Sequence, residues 1–259
     1  MKLFFKKMGS GPPFVILHGL FGISDNWHTV GKKLSEKYSV FLVDQRNHGQ
    51  SPHSNEWDYK LMAEDLHELF IDNQIENAVL MGHSMGGKTA MLFAMTYPEL
   101  LKKLVVVDIA PKTYPPQHDK IIAALKAVNF NITHSRKAAE EILAGNIQEP
   151  AIRQFLLKNL EWEKPDQLRW KFNLDAISRN IETIDRSFDI KVCEIPTFFI
   201  RGALSQYITD SDRETIKEYF PKSSLITVPD AGHWVHADNP AGFFRCAEEY
   251  LTCSGNPGT

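Results

Sequence analysis

The most informative stretch of the chain is Ala78-Val79-Leu80-Met81-Gly82-His83-Ser84-Met85-Gly86-Gly87. Its apolar start predicts a buried strand, and the residues from Met85 to Tyr97 predict a helix that Pro98 stops. Ser84 lies between them, at the centre of a G-x-S-x-G pattern. A strand, this pattern and a helix in succession are typical of a tight turn that exposes a nucleophilic serine hydroxyl.

Small residues around Ser84 fit such a turn. The strand and the helix nearly touch two positions before and after the serine, where Gly82 and Gly86 carry no side chain. The Met85 N–H starts the helix, so it would point to an oxyanion formed when Ser84 attacks a carbonyl. A G-x-S-x-G pattern also occurs by chance, but its flanking elements favour a functional serine. We therefore predict Ser84 as a nucleophile and the Met85 N–H as an oxyanion donor.

Length, charge and cysteine content narrow the class of protein. The 259 residues, 43% of them hydrophobic, suffice for one large α/β domain or for a core domain with an insertion. A net charge of -3 argues against a nucleic-acid partner. The sequence contains no run of 18 apolar residues, so we expect no membrane span. The apolar run near the N-terminus is too short for a signal peptide. Cys193, Cys246 and Cys253 lack metal-ligand spacing, so we expect a reduced, cytoplasmic protein.

Strand-like and helix-like segments alternate along most of the chain. This alternation predicts an α/β fold with a mostly parallel central sheet and helices on both of its faces. Met1 to Lys7 is expected to form a first strand at an edge of the sheet. Residues 78–81 are expected to form the strand that leads to Ser84. The other strand-like runs are 14–17, 39–43, 104–107, 196–200 and 224–228.

The character of the sequence changes between residues 117 and 187. Strand-like runs vanish there, and the pattern predicts helices at 117–128, 134–144, 148–161 and 165–184. An all-helical insertion before the last two strands must lie over an edge or end of the sheet, which is typical of a lid. We therefore predict an α/β core at 1–112 and 188–253, a helical lid (cap) at 113–187, and a flexible tail at 254–259.

A glycine-containing loop, His18-Gly19-Leu20-Phe21-Gly22, follows the strand at 14–17. It leaves the Leu20 N–H as a second candidate oxyanion donor and Phe21 as a candidate pocket wall. His18 could be functional, but a histidine that holds this loop by hydrogen bonds is the favoured interpretation. The loop from Asp44 to Pro52 could hold a metal or a catalytic group. We favour a hydrogen-bonded loop that braces the strand ends.

Three polar residues lie at or just beyond predicted strand ends, where ligands bind in open parallel sheets. They are Ser84, Asp108 and His233, and a serine needs an imidazole and a carboxylate of this kind to become nucleophilic. His236 is an alternative base, but it lies further toward the final helix. Asp108 is the expected carboxylate because it directly ends an apolar strand. Most of the other candidates lie in the predicted lid or at helix starts, where carboxylates usually cap or face solvent; the candidates are Asp119, Asp166, Asp175, Asp185, Asp189, Asp210 and Asp212.

The motifs together resemble the α/β-hydrolase superfamily, in its order of nucleophile, acid and histidine. More narrowly, the chain resembles the small bacterial YbfF-type esterases, through Val107-Asp108-Ile109-Ala110-Pro111 and Ala203-Leu204-Ser205-Gln206-Tyr207. The resemblance implies a serine carboxylesterase or thioesterase that cleaves short acyl esters, and acyl-CoA thioesters as an extension. This chemistry requires no metal or cofactor. The expected partner is a small-molecule acyl substrate, and the chain is expected to be a monomer or a homodimer.

The chain departs from the wider superfamily at two places, and the first bears on the acid. The superfamily's usual Gly-x-x-Asp pattern is replaced, because Gly202 is followed by Ala203, Leu204 and Ser205. The YbfF-type proteins resemble this chain in having a serine there and the acid on the preceding strand, which implies Asp108. Ser205 is then expected to hydrogen-bond His233 as an auxiliary residue, with Trp234 as a further candidate substrate contact. The second departure is Asn47, where the superfamily often has glycine.

Other functions of the same fold stay open at the level of sequence. A C–C bond hydrolase, a cofactor-free perhydrolase and an acyltransferase use the same three residue types. Haloalkane dehalogenases and epoxide hydrolases are disfavoured, because they have an aspartate where Ser84 stands. A ligand receptor without catalysis is a further alternative, since the fold alone does not define an activity. The helical insertion could also be a docking surface or a dimer face.

Overall fold

The computed structural model describes residues 1–189 and 191–252. Seven strands form one sheet; they are β1 (Phe5–Met8), β2 (Pro13–Leu17), β3 (Ser39–Val43), β4 (Ala78–His83), β5 (Leu101–Val107), β8 (Thr197–Gly202) and β9 (Ser223–Val228). Their order in the sheet is β1-β3-β2-β4-β5-β8-β9. β1 is antiparallel to β3, and the other neighbouring pairs are parallel. The mostly parallel sheet of the predicted α/β fold is therefore confirmed.

Helices cover both faces of this sheet. On one face, α2 (Tyr59–Asp72) and α3 (Met85–Thr96) pack with α8 (Asp212–Tyr219), through side chains such as Phe70, Phe93 and Ile216. On the other face, α1 (His28–Leu34), the short α9 (Val235–Asp238) and α10 (Pro240–Thr252) bury Trp27, Phe243 and neighbouring side chains. Every residue of β4 is buried, as expected of a central parallel strand covered on both sides. Because β4, β5 and β8 are adjacent and parallel, their carboxyl ends lie together at one edge of the sheet.

The segment between β5 and β8 differs from the all-helical insertion that the sequence predicted. It contains α4 (Asp119–Ala127), α5 (Arg136–Ala144), α6 (Pro150–Leu157) and α7 (Leu174–Asp185). Between α6 and α7, however, β6 (Leu160–Lys164) and β7 (Gln167–Trp170) form an antiparallel hairpin. The helices predicted at 148–161 and 165–184 are wrong over this region.

The hairpin has a local physical reason in the sequence. Trp162 and Leu168 pair across the strands, while Glu161 and Arg169 pair on the opposite face and form an ion pair at 2.8 Å. This alternation has a period of two, which fits a strand and not a helix. Pro165 and the left-handed Asp166 (φ 67°) form the turn between the strands.

Residues 113–187 are called the cap segment below. Its helices share a hydrophobic cluster with Phe21, Trp57, Tyr59, Met62 and Met85 of the remaining chain. The division into core and cap stays a prediction, and Cys253 and the tail at 254–259 lie outside the described residues. Over the part of the chain that the structure describes, no helix has the length and apolarity needed to cross a membrane.

Candidate active site

Ser84 lies on a strained turn between β4 and α3. Its φ and ψ of 53° and -120° are unusual for a residue with a side chain. A Cβ added at Gly82 would come within 2.1 Å of the Gly86 carbonyl oxygen, and one added at Gly86 within 2.4 Å of the His18 oxygen. The two glycines are therefore required by the close approach of strand, helix and neighbouring loop. This is the local geometry that the G-x-S-x-G pattern predicted.

The structure brings Ser84, His233 and Asp108 together, although 149 positions separate the first two. His233 Nε2 lies 3.0 Å from Ser84 Oγ, and His233 Nδ1 lies 2.7 Å from Asp108 Oδ2. An ionised carboxylate only accepts hydrogen bonds, so Nδ1–H is the donor to Asp108. In the neutral imidazole, Nε2 is then free to accept a hydrogen bond from the Ser84 hydroxyl. The histidine is thus oriented to take a proton from this serine.

Asp108 is fully buried directly after β5, again with a positive φ of 52°. Its Oδ1 accepts a hydrogen bond from the Gly202 N–H at 3.1 Å, and its Oδ2 accepts one from the Ser205 hydroxyl as well as from His233. Ser205 therefore contacts Asp108, and the predicted hydrogen bond from Ser205 to His233 is wrong. The reason is geometric, because the loop after β8 places Ser205 beside the carboxylate oxygen that the imidazole also uses.

Two further side chains hold His233, and the sequence analysis assigned neither of them a role. The Tyr207 ring stacks on the imidazole, with 3.8 Å between centroids and 16° between planes. His83 Nε2–H donates a hydrogen bond to the His233 carbonyl oxygen at 2.8 Å. Burial and the neighbouring histidines hold the pKa of His83 well below its usual value, so it is neutral. The position of His83 beside Ser84 was the available signal, whereas no spacing indicated Tyr207.

The alternative base, His236, is placed differently. It stacks on Trp27 with 3.9 Å between the ring centroids, and burial lowers its pKa to about 3. His18 accepts a hydrogen bond from the Gln45 N–H at 3.0 Å through Nε2, and its Nδ1 lies 2.8 Å from the Gly19 carbonyl oxygen. His18 therefore ties two loops together, which agrees with the interpretation that the sequence favoured.

The loop after β2 forms a four-residue turn beside Ser84. The Gly22 N–H donates to the Gly19 carbonyl oxygen at 2.9 Å, which puts Leu20 and Phe21 at the central positions. A Cβ added at Gly19 would lie 3.2 Å from the Ser84 Cβ, so the turn directly contacts the serine. Within the described residues, no hydrogen bond engages the Leu20 N–H. The Leu20 N–H and the Met85 N–H, which lies at the start of α3, are therefore both available to a ligand at Ser84.

The loop at 44–52 is a hydrogen-bonded brace. Asp44 accepts hydrogen bonds from the Ser24 N–H at 2.6 Å and the Gln50 N–H at 2.9 Å. The Asn47 carbonyl oxygen accepts one from the Asn173 N–H at 2.9 Å, which links the loop to the cap segment. Across residues 1–189 and 191–252, no group of three His, Cys, Asp or Glu side chains is arranged to hold a metal ion.

Comparison with known proteins places this geometry in a family. A family model described as the alpha/beta hydrolase fold matches residues 12–137. A mouse protein named sn-1-specific diacylglycerol lipase ABHD11 is 41% identical over 250 residues, which cover 93% of this chain and 81% of that protein. The chain belongs to the α/β-hydrolase fold family.

Other relatives of this α/β-hydrolase carry esterase names. Esterase YbfF of Escherichia coli is 35% identical over 240 residues, which cover 92% of both chains. The solved structure of a marine microorganism esterase superposes with a TM-score of 0.93 at 45% identity, covering 96% of this chain and 99% of that one. The protein is accordingly an enzyme of the hydrolase class, and the resemblance to YbfF-type esterases is confirmed.

A cavity of about 450 Å³ opens above Ser84 between the core and the cap segment of this α/β-hydrolase. Ser84 and His233 lie in its wall, as do Leu20 and Trp234. Its volume falls in the range of small-molecule sites. Phe21 also lines the cavity, and its ring packs on that of Phe172 with 5.1 Å between the ring centroids. Apolar side chains in the wall include Leu20, Phe21, Ile121, Ile152, Phe155 and Trp234.

Proposed function

We propose that this protein is a serine esterase that hydrolyses small acyl esters through an acyl-enzyme on Ser84. The observation that carries the proposal is the continuous chain of contacts from Ser84 Oγ through His233 to the buried Asp108. Ser84 and His233, at one end of this series of contacts, line an apolar cavity that is open to a small molecule. Ester hydrolysis also agrees with the esterase and lipase names of the relatives.

The reaction begins with attack of Ser84 Oγ on the acyl carbonyl carbon. His233 Nε2 accepts the serine proton, and Asp108 stabilises the resulting imidazolium. The carbonyl oxygen becomes an oxyanion, which the N–H groups of Leu20 and Met85 hold; each such donor typically contributes about 3–4 kcal/mol. The C–O bond of the ester then breaks, and His233 gives its proton to the leaving alcohol.

A water molecule completes the cycle. His233 Nε2 takes one proton from this water while the water oxygen attacks the carbonyl carbon of the acyl-enzyme. The second tetrahedral intermediate collapses, the bond to Ser84 Oγ breaks, and the proton returns to the serine. The products are a carboxylic acid and the free enzyme. The same steps release a thiol from a thioester, so we include acyl-CoA thioesters in the proposal, with short acyl chains as the preferred substrates.

Covalent labelling tests the role of Ser84 directly. A fluorophosphonate reacts with an activated serine, so the wild type should be labelled stoichiometrically and Ser84→Ala not at all. Ser211→Ala is the matched control, since it removes an exposed hydroxyl at the start of α8 and should label like the wild type. Labelling of Ser84→Ala at the wild-type level would refute the proposed nucleophile.

A further inference from the structure

Asn159 connects the cap segment to the loop beside Ser84. It is fully buried after α6, and its backbone carbonyl oxygen accepts a hydrogen bond from the Lys171 N–H at 2.8 Å. Its side-chain Nδ2 donates to the Phe21 carbonyl oxygen at 2.7 Å and also lies 3.3 Å from the Leu156 oxygen. The side chain is thus held by the cap segment and directed at one peptide group of the core.

Phe21 adopts a backbone conformation that needs such support. Its φ of 57° lies in the left-handed region, which costs a residue with a Cβ about 1–2 kcal/mol. The Phe21 N–H donates to His48 Nε2 at 3.2 Å, and the Phe21 oxygen accepts from Asn159. The strained residue is therefore fixed on its amide side by the core and on its carbonyl side by the cap segment.

The conformation of Phe21 is coupled to the position of the Leu20 N–H, which lies one peptide group before the Leu20–Phe21 peptide. The two residues share the central positions of one turn, so a relaxation of Phe21 to negative φ would rotate the Leu20–Phe21 peptide and displace the turn that carries the Leu20 N–H. We propose that Asn159 is a positioning residue: by holding Phe21 from the cap segment, it keeps the Leu20 N–H aimed at the oxyanion formed at Ser84. This inference rests on the proposed function, and it makes the cap segment part of the oxyanion site.

A matched control separates this role from simple attachment of the cap. Asn180 also sends a side-chain amide from the cap segment to a core carbonyl, with Nδ2 donating to the Asn55 oxygen at 3.0 Å. It does not line the cavity above Ser84. Asn180→Ala therefore removes the same kind of hydrogen bond at a place that does not touch Phe21.

The test compares Asn159→Ala, Asn180→Ala and the wild type on p-nitrophenyl acetate. A misplaced oxyanion donor lowers kcat, so we expect Asn159→Ala to lose roughly 10- to 100-fold in kcat with KM within about twofold. Binding of a trifluoromethyl ketone, which forms a hemiketal oxyanion on Ser84, should weaken by the same factor. Asn180→Ala should keep both values. Wild-type kcat in Asn159→Ala, or an equal loss in both variants, would overturn the inference.

A second variant covers the case in which Asn159→Ala fails to fold. Asn159→Asp is nearly isosteric, but its ionised carboxylate cannot donate to the Phe21 oxygen, whereas the protonated form can. Burial raises the pKa of such a carboxyl group. The kcat deficit relative to wild type at the same pH should therefore shrink as the pH falls. A deficit that stays the same, or grows, as the pH falls would contradict the positioning role.

The same assay distinguishes this inference from the proposed function. If Ser84→Ala retains the wild-type rate, the proposed function fails, whatever the Asn159 variants do. If turnover depends on Ser84 and the Asn159 variants match the wild type, only the positioning role fails.

Discussion

Three residues of the active site share an unusual backbone conformation. Phe21, Ser84 and Asp108 all have φ between 50° and 60° without being glycine. Each such conformation costs free energy, of order 1–3 kcal/mol, and persists only when the surrounding contacts hold it. Here the contacts are the Phe21 bonds to His48 and Asn159, the glycines around Ser84, and the Gly202 N–H on Asp108. The strain therefore lies where side chains and N–H groups must be aimed.

Asp108→Asn tests the role of the carboxylate at this scale. The amide has nearly the same shape, but it can donate a hydrogen bond to Nδ1 and so favour the tautomer in which Nε2 carries the proton. We expect kcat to fall by a factor on the order of 10⁴, as in other triads, with the fold unchanged. The measurement is steady-state hydrolysis of p-nitrophenyl acetate beside a circular dichroism spectrum. Activity near the wild-type level would contradict the acid role of Asp108; the sequence alternative Asp210 is exposed and pairs with Arg201 at 2.8 Å, which leaves an arrangement with Ser205 alone.

The sequence predicted these residues unevenly, for physical reasons. Ser84 is marked by a local pattern, because a tight turn demands glycines at fixed positions. Asp108 and His233 follow from the rule that functional groups lie beyond the carboxyl ends of parallel strands. Asn159 reaches Phe21 across 138 positions, and such a contact depends on how the cap segment folds back. No spacing along the chain encodes it.

At the scale of elements, α3 links the candidate nucleophile to the cap segment. Lys88, one turn after Ser84, is almost fully buried, and its Nζ donates to the carbonyl oxygens of Asp185 at 3.2 Å and Arg186 at 2.9 Å. These carbonyls end α7, where a helix leaves acceptors without partners and favours a cation. The Lys88 ammonium group therefore binds the C-terminal end of α7, the last helix of the cap segment, and fixes this helix over the turn at Ser84.

Lys88→Met should destabilise the protein, because the methionine cannot donate to these carbonyls. We expect a loss of about 2–4 kcal/mol in the free energy of unfolding, measured by urea denaturation. Lys60→Met is the control: Lys60 is 83% exposed and its nearest carboxylate, on Glu64, lies 3.9 Å away, so its loss should cost less than about 0.5 kcal/mol. Equal stability of Lys88→Met and wild type would refute the capping role.

The hairpin of β6 and β7 shows where element prediction failed. The strands are only five and four residues long, and helix-like segments flank them on both sides. The turn at Pro165 and Asp166 was the signal for a break. By contrast, the buried runs of the central sheet are apolar and end in glycine or turn residues, so their positions were predicted well; the edge strand predicted from Met1 to Lys7 begins only at Phe5.

At the scale of the whole molecule, buried histidines make stability depend on pH. Burial lowers the pKa of His18 to about 4, and that of His48 and His236 to about 3, from a usual value of 6.5. Below pH 6.5 the unfolded chain takes up these protons while the folded protein does not. The contribution of these histidines to stability is thus fully present above pH 6.5 and is lost as the pH falls toward the folded-state pKa values of about 4 for His18 and about 3 for His48 and His236.

Urea denaturation at pH 7, 6 and 5 measures this loss. At pH 5 each of the three histidines should remove at most about 2 kcal/mol from the free energy of unfolding. His236→Phe keeps a ring against Trp27 but binds no proton at this position, so its loss between pH 7 and pH 5 should be smaller than that of the wild type by up to about 2 kcal/mol. A free energy of unfolding that is constant from pH 7 to pH 5 would contradict the neutral, buried state of these side chains.

The most direct test of the central claim is hydrolysis of p-nitrophenyl esters from acetyl to palmitoyl, with wild type and Ser84→Ala side by side. We predict turnover by the wild type, fastest on short acyl chains that fit the cavity above Ser84, and no enzymatic turnover by Ser84→Ala. Folded wild-type protein that hydrolyses none of these esters, or Ser84→Ala that hydrolyses them as fast as wild type, would contradict a serine esterase acting through Ser84.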